Sequence, residues 1–183
     1  MTPDDLTALE DAVIGVAVPV PEPWGEHLRQ LRVDYGDTRA EHIPTHITLL
    51  PPTPAAPAAM DGVRAHLSAV AARHTPFEMI LRGTGTFRPV SDVVYVQVAQ
   101  GVANCEFLEQ DVRSGPLERN LSFPYHPHVT LAHDLPGPVL DRVFADLAGF
   151  SCTFRVDAFR LYGHGGDEVW SPLEDFPMGD GRS

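Results

Sequence analysis

The segment His46-Ile47-Thr48-Leu49 recurs later in the chain as His128-Val129-Thr130-Leu131. Each copy reads histidine, apolar residue, threonine, apolar residue. Successive side chains of a β-strand point to opposite faces, so the histidine and threonine of each copy share one face. The aliphatic residues between them then face a core. If the two strands lie side by side, we expect two imidazoles and two hydroxyls to converge on one small anion.

Imidazole suits acid–base chemistry because its neutral and protonated forms are both accessible near neutral pH. Hydrolysis of a phosphodiester needs a base for the attacking water and an acid for the leaving oxygen, and His46 with His128 can supply both. The hydroxyls of Thr48 and Thr130 can donate hydrogen bonds to the non-bridging phosphoryl oxygens, which gain negative charge in the transition state. The repeated motif therefore predicts an acid–base site for phosphodiester chemistry.

Composition limits the partners of this site. The chain has 183 residues, which suits one domain or two closely packed lobes, and its 13 basic residues against 25 acidic ones give a net charge of −12. Binding of a long duplex needs many phosphate contacts from a basic surface. We therefore expect a small nucleotide or an RNA end as the substrate. The two cysteines indicate neither a disulfide framework nor a zinc site.

The amino-terminal segment Met1-Thr2-Pro3-Asp4-Asp5 is acidic, whereas a secretory signal begins with basic residues. The apolar stretch at 12–20 is far shorter than the roughly 20 residues that a membrane-spanning helix needs. We expect a cytoplasmic monomer that does not contact a membrane.

Hydrophobic periodicity predicts an order of elements along the chain. The predicted strands are 12–20, the motif strand 46–50 that Pro51-Pro52 ends, 77–87, 93–99, the motif strand 128–132, 154–162 and 167–170. The predicted helices follow Pro21-Glu22-Pro23, occupy 53–75 and 102–117, and begin at Gly137-Pro138. Gly83 and Gly85 predict a bulge or a close backbone approach, 163–166 predicts a hairpin turn, and we expect the tail after about residue 176 to be flexible.

The order motif strand, helix, hairpin occurs twice in this series. It predicts a single domain over 1–183 built from two similar α+β lobes around a pseudo-two-fold axis. Each lobe then contributes one motif strand to a central groove.

The segments Pro44-Thr45-His46-Ile47-Thr48-Leu49-Leu50 and Tyr125-His126-Pro127-His128-Val129-Thr130-Leu131-Ala132 resemble the 2H phosphoesterase superfamily, which includes bacterial 2′-5′ RNA ligase-like proteins and cyclic nucleotide phosphodiesterases. Gly85-Thr86-Phe87-Arg88-Pro89 and the final hairpin are similar to it as well. The resemblance implies a bilobal fold with antiparallel-rich sheets and flanking helices. It also implies phosphodiester chemistry without a metal or cofactor, with His46, Thr48, His128 and Thr130 as the site residues.

Other residues near the motifs are weaker candidates for substrate contacts. Phe87 and Tyr125 can stack on a base, and Arg88 can pair with a phosphate because it leaves the end of a strand. Many relatives place a basic residue shortly after the second motif, where this chain has His133. Since a histidine need not carry a charge, the resemblance does not by itself identify the substrate.

These observations favour a metal-independent phosphodiesterase that acts on a 2′,3′-cyclic phosphate of a nucleotide or short RNA end. The reverse reaction would join a 5′-hydroxyl to a cyclic phosphate. A binding module that holds a phosphorylated small molecule or RNA terminus without turnover is the alternative. A metal hydrolase is disfavoured, because the neighbours of the motif histidines are threonines and aliphatic residues rather than further ligands.

Overall fold

A computed structural model describes residues 12–164 and 169–179, and within these ranges it contains eight strands and four α-helices. The strands are β1 (Val13–Pro19), β2 (His46–Pro54), β3 (Phe77–Thr86), β4 (Val93–Gln100), β5 (His128–His133), β6 (Ser151–Val156), β7 (Ala158–His164) and β8 (Ser171–Pro177). The helices are α1 (Trp24–Asp34), α2 (Met60–Arg73), α3 (Val102–Val112) and α4 (Gly137–Asp146). None of these described helices has the length and apolar character needed to cross a membrane.

The strands form two four-stranded antiparallel sheets, with the orders β2-β1-β7-β8 and β5-β4-β3-β6. Each motif strand, β2 or β5, is the edge strand of its own sheet, and the two edges contact each other. The path β1–α1–β2 is repeated as β4–α3–β5. The predicted α+β fold with two lobes is therefore confirmed, and the repeat brings the two motif strands together where the lobes meet.

Aliphatic side chains set the orientation of the motif strands. Ile47, Leu49, Val129 and Leu131 are each at most 1% exposed and belong to one core that joins both sheets. Burial of such a side chain contributes about 1.5–3 kcal/mol, and a register slip of one residue would turn every one of them outward. The opposite face of each strand, which carries the histidine and the threonine, is thereby fixed toward the groove.

Three predicted boundaries differ from the structure by several residues. Strand β2 continues through Pro51-Pro52 to Pro54, because an edge strand can lack N–H donors on its open side without losing ladder hydrogen bonds. The helix predicted over 53–75 consequently begins at Met60, after a single 3₁₀ turn. Similarly, the helix predicted over 102–117 ends at Val112, and Gly115–Leu117 forms a separate 3₁₀ turn.

The strand predicted over 154–162 is two strands in different sheets. It breaks at Asp157, with β6 pairing β3 in one sheet and β7 pairing β1 in the other. The buried positions change phase at the break, from Cys152 and Val156 to Phe159 and Leu161, and this shift is the local trace of the crossing between sheets.

The carboxyl-terminal strand lies later in the chain than predicted. Strand β8 runs to Pro177, and Phe176 and Met178 are 2% and 6% exposed. The N–H of Gly179 donates to the carbonyl of Ala71 at 3.1 Å, which holds the end of the described chain on α2. Flexibility of the tail after about residue 176 stays a prediction, and 180–183 lie outside the described residues. Residues 165–168, which belong to the predicted turn and to the strand predicted over 167–170, also lie outside the described residues. Val169 and Trp170 precede β8 and are not part of a strand, so that prediction was wrong for these two residues.

The glycines of β3 behave as the sequence predicts. The β3–β4 pairing shifts register between Leu81 and Thr84, and Gly83 there has a φ of +68°. At Gly85, an added Cβ would lie 2.5 Å from the ring of Tyr95. Gly85 therefore allows the Tyr95 ring to lie directly on the backbone of β3.

Candidate active site

The two motif histidines are oriented by the same backbone contact. Nδ1 of His46 lies 2.6 Å from the carbonyl oxygen of Pro44, and Nδ1 of His128 lies 2.7 Å from that of His126. A carbonyl oxygen only accepts hydrogen bonds, so each Nδ1 carries the hydrogen. The lone pair of each neutral ring is then on Nε2, which is the atom available for proton transfer.

The polar groups on the groove side of both strands are available to a ligand. His46, Thr48, His128 and Thr130 are all partly exposed, in alternation with buried residues. Within the described ranges, neither Nε2 atom and neither threonine hydroxyl has a hydrogen-bond partner in the protein. The site thus presents two proton-transfer atoms and two hydroxyl groups without satisfying them internally.

The two motif segments also lie close to each other. The hydroxyl of Tyr125, in the segment that leads into β5, donates to the carbonyl of Thr48 on β2 at 3.0 Å. Charge on His46 contributes to lowering the pKa of His128, as expected for imidazoles that share a site. The fold therefore brings together the two His–Thr pairs that lie far apart in the sequence.

Aromatic rings surround His128. Its ring centroid lies 4.9 Å from that of Phe87, 5.2 Å from that of Tyr95 and 6.2 Å from that of His126. Burial lowers the pKa of His128 to about 4, with smaller contributions in the same direction from the nearby histidines. His128 is consequently neutral at pH 7 and ready to accept a proton.

His46 has different neighbours. Burial lowers its pKa below the ordinary value, and the positive charge of Arg32 adds to this effect. Arg32 is 5% exposed and pairs with the buried Asp37 at 2.7 Å. A hollow of about 170 Å³ opens beside His46 and Thr48 and extends over sheet β2-β1-β7-β8.

The other predicted contact residues are already engaged within the protein. Phe87 belongs to the rings around His128. The guanidinium of Arg88 donates to Asp141 at 2.7 Å, and Tyr125 packs against the core while its hydroxyl bonds to Thr48. Substrate contact by these three residues stays a prediction.

The fold places Arg39 beside His133, the position that follows the second motif. The backbone carbonyl of His133 accepts a hydrogen bond from the guanidinium of Arg39 at 2.6 Å, and its ring nitrogen lies 3.4 Å from Asp134. Arg39 comes from the loop between α1 and β2, so the sequence around His133 gives no sign of it.

Two aromatic residues near the site were missed by the sequence analysis. Tyr95 lies beside His128, and Trp170 lines the hollow beside His46. The one available signal for Tyr95 was the glycine at position 85, which allows a large side chain on the neighbouring strand. The comparable signal for Trp170 was Gly15 on β1, where an added Cβ would lie 3.2 Å from the indole.

No three His, Cys, Asp or Glu side chains within 12–164 and 169–179 are grouped so as to hold a metal ion. Both cysteines are buried and free, and burial raises the pKa of Cys105 to about 12. A thiol with such a pKa is not a nucleophile at neutral pH.

Residues 19–168 match the family model of the 2′-5′ RNA ligase superfamily. A protein of Oceanobacillus iheyensis named "Putative phosphoesterase" is 26% identical over 167 residues, which cover 90% of this chain and 97% of the relative. A protein of the same description from Bacillus cytotoxicus is 28% identical over 145 residues, covering 76% of this chain and 81% of the relative.

Solved structures have the same fold. Escherichia coli LigT in complex with 3′-AMP superposes with a TM-score of 0.63 at 21% identity, over 93% of this chain and 99% of LigT. LigT has also been crystallised with phosphate. The protein TT0787 of Thermus thermophilus superposes with a TM-score of 0.59 at 22% identity, over 93% of this chain and 100% of that protein. The chain therefore belongs to the 2′-5′ RNA ligase superfamily, the 2H phosphoesterases.

Proposed function

We propose that this protein is a metal-independent phosphodiesterase that opens the 2′,3′-cyclic phosphate of a nucleotide or a short RNA end. The observation that carries the proposal is the set of four groups without a hydrogen-bond partner among the described residues, on two strand edges in contact. They are Nε2 of His46 and His128 and the hydroxyls of Thr48 and Thr130. A strained cyclic phosphodiester is a small anion that these groups can contact from two sides.

The proposed reaction needs one neutral and one protonated histidine. The neutral Nε2 accepts a proton from water as the water oxygen forms a bond to phosphorus. The bond from phosphorus to one ribose oxygen breaks, and this oxygen takes the proton of the second histidine. The product is a 2′- or 3′-monophosphate, and exchange of protons with solvent restores the starting state. General acid–base catalysis of this kind contributes about 10²–10⁴-fold per group.

The threonines have an electrostatic role in this scheme. Their hydroxyls donate to the non-bridging oxygens, where negative charge increases as water attacks. Because Thr48 and Thr130 sit on strands held by buried neighbours, these donors need little rearrangement during the reaction. Phe87 and Arg88 are proposed as secondary contacts to the remainder of the substrate.

The same groups can act on a second nucleophile, which gives the reverse of RNA cleavage to a cyclic phosphate. A 5′-hydroxyl in place of water would attack the cyclic phosphate and form a phosphodiester, so RNA ligation needs no nucleotide cofactor in this scheme. Hydrolysis is the favoured reaction, since water is far more abundant than any RNA 5′-hydroxyl.

The comparisons support the size of the substrate. LigT has been crystallised with phosphate and with 3′-AMP, and we extend this ligand class to the present chain because both have one fold. The net charge of −12 also favours a small ligand over a long duplex.

The decisive experiment incubates the protein with 2′,3′-cyclic AMP, GMP, CMP and UMP, and with a short RNA ending in a cyclic phosphate, in excess EDTA. We expect monophosphate product from at least one of them, at an unchanged rate when EDTA is omitted. The double variant His46→Ala/His128→Ala serves as the blank, with circular dichroism to verify its fold.

Three other results would each contradict a part of the proposal. Binding of these ligands by calorimetry without product would replace the proposal with the binding module. Activity that EDTA abolishes and a divalent metal restores would contradict metal independence. Product formation by the double variant at the wild-type rate would remove the histidines from the mechanism.

A further inference from the structure

The hollow beside His46 is lined almost entirely by uncharged groups. Its floor and walls include Gly15, Leu50, Pro52, Ile43 and Trp170, and His46 with Thr48 forms one end. Its volume of about 170 Å³ is below the ~300–1,000 Å³ typical of pockets for whole drug-sized ligands. The hollow therefore suits one ring system attached to a group at the His–Thr end, rather than a complete large ligand.

No Asp, Glu, Lys or Arg is among the described residues that line the hollow. A second phosphate would find no cation there, and an unpaired charge would lose its hydration. A neutral planar ring, in contrast, would exchange water for apolar contacts.

Trp170 is held in place as a wall of the hollow. Its backbone N–H donates to the carbonyl of His42 at 3.0 Å, in the loop that leads into β2. Its ring packs edge-on against His164 with centroids 4.5 Å apart. An added Cβ on Gly15 would lie 3.2 Å from the benzo edge of Trp170, so the missing side chain at Gly15 lets the indole approach β1.

The corresponding space near His128 is filled. The cross-strand neighbour of Thr130 is Tyr95, whereas that of Thr48 is Ala17. The large side chain of Tyr95 occupies the face of its sheet beside the motif strand, and the small one of Ala17 leaves the face of the other sheet open. A substrate held between both motif strands consequently has room for its ring on the β2 side.

We infer that the hollow beside His46 is a subsite for one uncharged planar ring of the substrate, such as a nucleobase, with Trp170 as its stacking surface. This inference rests on the proposed function for the position of the phosphate between the two His–Thr pairs. It adds a specificity-determining residue from the segment that precedes β8. It also fixes the side on which the nucleoside lies.

The test compares the dissociation constants of 3′-AMP and inorganic phosphate by calorimetry. Stacking on an aromatic side chain accounts for about 5- to 100-fold in affinity, so we expect Trp170→Ala to weaken 3′-AMP by this factor and to leave phosphate unchanged. Trp24→Ala is the matched control, because Trp24 packs on Phe150 and does not line the hollow. Equal weakening of both probes, or an unchanged affinity for 3′-AMP, would overturn the inference.

A second variant narrows the hollow from β1 and retains the tryptophan at position 170. Gly15→Val should displace Trp170 and weaken 3′-AMP selectively, while Gly62→Val, at a helical glycine with open space around it, should have no effect. In a Trp24→Phe background, Trp170 is the remaining tryptophan, so 3′-AMP should quench the fluorescence and phosphate should not. Absence of quenching at saturating 3′-AMP contradicts a stacked ring.

The results separate this inference from the proposed function. Selective dependence of 3′-AMP binding on Trp170, without turnover of any cyclic phosphate, would support the subsite and reject the phosphodiesterase. Turnover with the same affinity and rate in wild type and Trp170→Ala would support the phosphodiesterase and reject the subsite.

Discussion

The two motif strands have one sequence pattern and two different surroundings. On β5, Phe87, Tyr95 and His126 enclose His128. On β2, His46 adjoins an open hollow that ends at Trp170. The contact that orients each ring, from Nδ1 to the carbonyl two residues earlier, is the same in both. The repeated motif thus fixes the direction of the imidazoles, and neighbours from other strands decide their access and protonation.

This difference predicts different catalytic roles for the two histidines. If the ring of the substrate lies in the hollow, the leaving ribose oxygen is on the side of His46. Water then attacks from the side of His128, which is neutral at most pH values because burial lowers its pKa to about 4. We therefore expect His46 to act as the acid and His128 as the base.

Removal of either imidazole should have the largest effect. We expect His46→Ala and His128→Ala each to lower turnover of a 2′,3′-cyclic nucleotide by about 10²–10⁴-fold. A 4-nitrophenyl phosphodiester sharpens the comparison, because its leaving group needs no protonation. On this substrate the deficit of His46→Ala should shrink, while that of His128→Ala persists. Kinetic assays of both variants check this, with the exposed His27→Ala as the control. The opposite pattern would reverse the two roles.

The enclosure of His128 predicts an effect on the pH dependence. The folded pKa values of both histidines lie below the ordinary value of about 6.5, so the pair keeps one proton only in acidic solution. We expect kcat/KM to be greatest below pH 6.5 and to fall about tenfold per unit at higher pH. Substitution Phe87→Ala admits water to His128 and raises its pKa, so the acidic limb of the profile should move to higher pH.

Phe107→Ala is the control for this experiment. This substitution also removes a phenyl ring, but Phe107 is 64% exposed on α3, away from His128. Titration of the imidazole signals by NMR gives the two pKa values directly. An optimum above pH 7, or an acidic limb that ignores Phe87→Ala, would show that burial does not control His128.

Sequence patterns predict the features of this fold that depend on neighbouring residues. They do not predict the features that depend on contacts between distant segments. The faces of the motif strands were predicted correctly, because alternation of buried and exposed residues is local. The break at Asp157 was missed, because its local trace is a single shift in phase and the change of sheet depends on pairing with distant strands. The continuation of β2 through Pro51-Pro52 was missed as well, since it depends on β2 being an edge strand.

The residues that surround the two motif histidines could not be predicted from the sequence. The enclosure of His128 needs the register that sets Tyr95 opposite Thr130, and the hollow needs Ala17 opposite Thr48. Trp170 arrives from the far end of the chain and is held by the carbonyl of His42. These contacts depend on pairing between strands, which the local pattern of the motif does not contain.

The smallest expected effect concerns the hydrogen bond that joins the two motif segments. Tyr125→Phe removes the donor to the Thr48 carbonyl, and the loss of one such bond costs about 0.5–1.5 kcal/mol of unfolding free energy. Tyr35→Phe is the matched control, because it removes a hydroxyl bond to Asp146 at 2.8 Å, away from the motif strands. Urea unfolding should show similar losses in both variants.

Measurements of kcat and KM distinguish Tyr125→Phe from Tyr35→Phe. They also distinguish two roles of Tyr125, alignment of the motif strands and stacking on the substrate. If its hydroxyl aligns β2 with β5, Tyr125→Phe should lower kcat several-fold at unchanged KM, and Tyr35→Phe should leave both constants alone. If its ring instead stacks on the substrate base, Tyr125→Phe should keep wild-type kinetics, since it retains the ring. Tyr125→Leu should then raise KM. The hydrogen bond to Thr48 favours the first outcome. The ring of Tyr125 packs against the core and its hydroxyl donates to β2, so the ring is not available to stack on a substrate base.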